Sequence, residues 1–153
     1  MLIQLDKVGA RNHIENVVIP EAGVPNGALV QVGTVGNYDT VNGLKIADIT
    51  RPLVMIVEEF MNRTGIESET DMKFAKDFVA RGYHLLSGDE ITVTIDGVTG
   101  ATNVPADMIG KFVIPVVGSY AGKINATASG SLCFEFVNVE TLYGQDALVL
   151  RVL

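Results

Sequence analysis

Tryptophan is absent from this 153-residue chain, cysteine occurs once and histidine twice. A single cysteine, Cys133, excludes an intrachain disulfide and a thiolate metal cluster. Set between Leu132 and Phe134, it reads as a small buried hydrophobe. His13 and His84 stand in separate segments, and neither has a second histidine at helical ligand spacing. The sequence therefore nominates no metal site and no cofactor, and His84 is expected on the polar face of a strand. Basic residues are few as well: eleven against eighteen acidic ones, for a net charge of −7, with no basic run anywhere. Contacts to phosphates need clustered Lys and Arg, so no nucleic-acid partner is expected. No apolar run reaches bilayer-spanning length, so no membrane partner is expected either. The opening Met1–Asp6 alternates instead of setting an apolar core behind a basic end, as a secretory leader would. The expectation is a protein made in a cytoplasm, and on that basis the glycosylation patterns at Asn62 and Asn125 carry no weight.

Catalytic patterns are equally sparse. Glu67, Glu69 and Asp71 alternate as in a calcium loop, but the central glycine and the late bidentate glutamate are missing, so a solvated acidic loop is the reading. Asp89 and Glu90 are adjacent, and neighbours on a strand point to opposite faces, so they do not converge on one substrate atom. The Gly33–Gly36 and Gly97–Gly100 pairs lack a following Lys-Ser/Thr and read as turns. No Gly-x-Ser-x-Gly elbow occurs, and Ser129-Gly130-Ser131 reads as a hairpin loop. No catalytic constellation is nominated, and the chain is read as not an enzyme.

What the chain does contain is β patterning. Ser87–Gly100 opens on Gly88-Asp89 and then alternates strictly, with Ile91, Val93 and Ile95 on one face and Thr92, Thr94 and Asp96 on the other, expected to face water. Shorter candidates lie at 1–6, 16–20, 28–35, 111–117, 124–128, 132–139 and 147–153. Pro115 implies an edge or a bulge in its strand. The apolar run Leu53–Val57, bounded by Pro52 and Glu58, fits a buried strand better than a buried helix by length and β-branching. One short helix is predicted over 71–80, where Met72, Ala75, Phe78 and Val79 fall at helical spacing between a Thr70 cap and a Gly82 stop. The fold class expected is mainly β: a small β-barrel or sandwich with one short helix and an extended N-terminal segment. Its organisation is read as a 1–16 arm followed by one β-rich domain over 17–153, with the denser barrel core in 81–153.

Two segments carry a resemblance: RPLVMIV at 51–57 and ARGYHLLSGDEITVT at 80–94, followed by the Gly118-Ser119-Tyr120 turn and the closing 144–153 strand. Across about two-thirds of its length the chain resembles the head-decoration, or capsid cement, proteins of tailed bacteriophages. The resemblance implies a non-enzymatic virion protein that binds the outer surface of the expanded head, with the major capsid protein as partner and a homotrimer as the assembly. Residues 1–16 either reach a neighbour's sheet as an arm or form the first strand of their own domain. In the arm reading, Leu2, Ile3, Leu5, Lys7 and Arg11 are the partner-binding candidates. A head–tail or tail component and a small-ligand-binding barrel are the alternatives.

Overall fold

The computed structural model describes residues 3–7, 13–58 and 73–153, and among them its regular structure is mainly β-strand. Five strands close into a barrel in the order β2 (Ile14–Val18), β5 (Thr40–Leu44), β4 (Leu29–Val35), β6 (Leu53–Ile56), β8 (Val79–Tyr83), with β8 returning to β2. Seven strands form an open sheet. Its order is β1 (Ile3–Lys7), β9 (Glu90–Thr94), β14 (Gln145–Val152), β13 (Phe134–Leu142), β11 (Phe112–Pro115), β12 (Gly122–Asn125) and β10 (Val98–Thr99). A two-residue pair, β3 (Val24–Pro25) with β7 (Lys73–Phe74), completes the set. The closed barrel thus lies in residues 14–83, not in the C-terminal segment where it was expected. The C-terminal half instead builds the open sheet, because its long hairpin β13–β14 spreads sideways to β9 and β11.

The apolar run at 53–56 shows why the two layers exist. Val54 and Ile56 point into the barrel beside Val17, Val30 and Ala80. Leu53 and Met55 point outward and meet Ile91, Phe134, Phe136 and Leu150 of the open sheet. Both faces of β6 are covered, so the strand carries no polar alternation and reads as a continuous hydrophobic stretch. The barrel is narrow, and two glycines face its interior. A Cβ on Gly43 would lie 2.8 Å from Val17 Cγ1, and one on Gly82 2.6 Å from Val17 Cγ2. Those positions hold the strands close enough for the aliphatic side chains to fill the lumen.

The helix expected over 71–80 does not form in its described part. Lys73–Phe74 is β7, Asp77 takes a left-handed turn at φ 65°, and Val79 begins β8. Ala75, Phe78 and Val79, the supposed buried stripe, are exposed, while Gly82, the supposed stop, lies within β8. Pairing decides this: the Ile19 N–H bonds to the Phe78 carbonyl, and the Asp77 N–H to the Ile19 carbonyl, at 2.9 Å each. Among the described residues, helical structure appears instead as two short 3-10 turns, Ile95–Gly97 and Pro105–Met108. No helix among the described residues is long and apolar enough to cross a membrane.

The organising strand also departs from expectation. Ile91 and Val93 enter the main core, but Thr92 and Thr94 are completely buried too. β9 is an inner strand: Thr92 aligns with Gln4 on one side and Val149 on the other, and Thr94 aligns with Ala147. Burial is accommodated by hydrogen bonding, from Thr92 Oγ1 to Glu140 Oε2 at 3.4 Å and from Thr94 Oγ1 to the Asp96 carboxylate. A bulge at Val137 keeps β13 in phase, since the register steps from Phe136↔Leu150 to Asn138↔Val149. Val139, and not Asn138, then packs on the core. Pro115 pairs with Gly122 of β12 where β13 has ended, so it sits at a locally unpaired edge.

Candidate functional site

The alternation of β2 is the reverse of what its apolar residues suggest. Ile14 is half exposed, whereas Glu15 is turned inward on the same face as the fully buried Val17. His13, two residues before Glu15, shares that face. Antiparallel register with β8 aligns Ile14 with Tyr83 and Glu15 with Gly82. The ladder runs one residue further, where the His84 N–H donates to the His13 carbonyl at 3.0 Å. The two histidines therefore face each other at one mouth of the barrel, their rings edge to face with centroids 5.1 Å apart.

Glu15 completes the cluster. Its Oε1 lies 2.7 Å from His84 Nε2 and 3.5 Å from His13 Nε2. Gly82, directly across from Glu15, places no side chain beside the carboxylate. One donor atom from each of the three residues lies within 4.8 Å of the others. The cluster is graded in exposure: the His13 side chain is 69% exposed, His84 26% and Glu15 18%. Glu15 Oε2 is buried and has no hydrogen-bond partner among the described residues. An orphaned buried acceptor costs about 1–3 kcal/mol, more than the roughly 0–1 kcal/mol returned by a partly exposed ion pair. Stability alone does not account for the arrangement. Two imidazole nitrogens and a carboxylate are the donor set of a borderline divalent transition metal.

The sequence expected no metal ligand here because His84 is 69 positions from Glu15 in the chain. His84 lies just past the end of β8 and faces Glu15 at the barrel mouth, not solvent on a polar strand face. The signal that finds the cluster is the β2–β8 register, which no local pattern encodes.

The partner-binding candidates fall on β1. Ile3 aligns with Val93, Leu5 with Ile91 and the Lys7 backbone with Glu90. Ile3 and Leu5 are half-buried against the main core, while Gln4 between them is exposed. β1 is the terminal strand of the open sheet, paired among the described residues with β9 alone. Leu2 and Arg11 lie outside the described residues, as do Glu67, Glu69 and Asp71 of the acidic loop. Asp89 and Glu90 diverge: Asp89 Oδ2 accepts from the Leu86 N–H at 2.8 Å, and Glu90 Oε1 accepts from Arg151 Nε and Nη2 at 3.1 and 3.0 Å.

At the opposite end of the β2–β8 ladder, an open groove is lined by Val18, Val35, Tyr38 and Val79. Tyr38 tips the β4–β5 hairpin, 96% exposed and at φ 55°. Elsewhere, Tyr120 ties the two layers together. Its hydroxyl donates to Glu21 Oε1 at 2.8 Å, its carbonyl accepts from the Leu29 N–H, and Lys45 Nζ lies 2.7 Å from the same Glu21 oxygen. Burial, then the hydrogen bond to Glu21, pushes the Tyr120 phenol up to about 12. The Lys45 and Tyr120 hydrogen bonds hold the exposed Glu21 carboxyl below its ordinary range. Burial pushes the Cys133 thiol up, against weaker opposing backbone hydrogen bonds. Among known proteins, no family model, no curated protein and no solved structure matches the chain.

Proposed function

We propose that this protein is a structural virion component: a decoration protein that binds the outer surface of a tailed-bacteriophage head and stabilises it without catalysis. The major capsid protein is its partner and a homotrimer its assembly. The observation that carries the reading is the position of β1, a terminal strand that among the described residues is paired on one side. An outer strand presents a row of main-chain donors and acceptors to which a capsid strand can be added, with no dedicated side chain required. The segments that carry the family resemblance form β6, which joins the two layers, and β8–β9, which link the barrel to the sheet. A cement protein needs that kind of stiff two-layer body.

Co-sedimentation of the purified chain with expanded and unexpanded heads of its parent phage tests the proposal, with light scattering for the trimer. Saturable binding to expanded heads is expected. Binding to neither form, with ring assembly or attachment to tails instead, would replace it with the tail-component reading.

A further inference from the structure

We propose that His13, Glu15 and His84 form a binding site for one divalent transition metal ion, with Zn²⁺ as the best-matched ion. The site lies at the barrel mouth and stands independently of the capsid reading. Three observations converge on it. The donor set is one imidazole nitrogen from each histidine and one carboxylate oxygen, all within 4.8 Å of one another. Ligands about 2.0–2.1 Å from a tetrahedral zinc lie roughly 3.3–3.5 Å apart, so the 3.5 Å Glu15–His13 spacing already fits, and the 2.7 Å Glu15–His84 contact must open by somewhat less than about 1 Å. The orphaned Glu15 Oε2 gains a partner if the carboxylate binds in a bidentate mode or if a metal-bound water donates to it.

Register fixes two of the three ligands before any ion arrives. The His84 N–H to His13 carbonyl bond clamps the strands at the site, and Glu15 lies two residues along from His13, on the same strand face. The ion would exchange with the hydrogen bond between Glu15 and His84. Three protein ligands leave a coordination position for water on the exposed, His13 side. Among first-row ions, nickel and copper would compete, and calcium or magnesium would not, since imidazole suits the softer ions. Binding would tie the start of β2 to the end of β8 and close the barrel at this mouth.

The test is equilibrium dialysis of the untagged full chain against Zn²⁺ with elemental analysis, together with the visible absorption of the Co²⁺ form. One ion per chain and an intense tetrahedral Co²⁺ spectrum are expected, with Tm raised by about 5–10 °C at hundredfold excess over Kd. His13→Ala alters an exposed side chain, so the fold survives and affinity should fall at least 10- to 100-fold, the range typical of losing even an outer partner. Glu15→Gln should weaken binding similarly, while Mg²⁺ should leave Tm unchanged. Far less than one Zn²⁺ per wild-type chain at about 100 μM free ion, or equal binding by the His13→Ala and His84→Ala double variant, would overturn the proposal.

Discussion

A methyl group at position 82 would sit 2.6 Å from Val17 Cγ2 and 3.0 Å from Val54 Cγ2, in the middle of the barrel lumen. Neither valine has room to turn away, so Gly82→Ala should cost about 1–3 kcal/mol in denaturant unfolding, as overpacking of a tight core does. Two further side chains make separate predictions. Cys133 is buried with its thiol pushed up by that burial, so it should resist a thiol reagent at pH 8 in the native state and react once unfolded. Tyr120, raised to about 12, is neutral in the fold at pH values where an unfolded tyrosine, at 10.0, has begun to ionise. Its contribution is complete below about pH 10 and is lost as pH rises towards about 12. Ultraviolet titration of the four tyrosines should accordingly show one ionising last, and Tyr120→Phe should remove that late step. The neighbouring Glu21–Lys45 pair is exposed and adds little to stability.

The strands differ in how visible they were before the structure. β9, β13 and β14 carry clean alternation or long apolar runs, and each was legible from residue pattern because one of its faces meets the main core. β2 was legible only from its second half, through Val17 and Ile19. Its first half is inverted, with Ile14 outside and Glu15 turned in against His84 at the barrel mouth. The 71–80 stretch mimics a helix because Phe78 and Val79 sit at the right spacing, but their pairing partners lie far off in the chain, at Ile19 and Val18. The His13–Glu15–His84 cluster was invisible for the same reason: 69 residues separate Glu15 from His84, and only cross-strand register joins them. At β6 the two-faced burial predicts that inward and outward truncations are both costly. Ile56→Ala should open the barrel interior and Leu53→Ala the space between layers, each by about 2–5 kcal/mol in equilibrium unfolding.

Across the whole molecule, barrel and sheet share one core. Leu29, Leu53 and Met55 of the barrel belong to the same cluster as Ile91, Phe134 and Leu150 of the sheet. Loop anchors reinforce it, from the Gly118 N–H to the Ile46 carbonyl and from the Ser131 N–H to the Ile49 carbonyl, both at 2.7 Å. Gln31, buried between the layers, is satisfied by the Ala47 and Asp48 N–H groups at 3.1 Å. The two layers should therefore unfold together, with tyrosine fluorescence and far-ultraviolet dichroism giving one coincident transition. Among the described residues the β1 edge faces outward, and the capsid reading assigns it to a partner. Cryo-electron microscopy of the parent virion tests that assignment most directly. The account predicts density on the outer head surface that fits the barrel and sheet, with a capsid strand running alongside residues 3–7. Heads bare of the protein, or the protein found only in the tail, would contradict it.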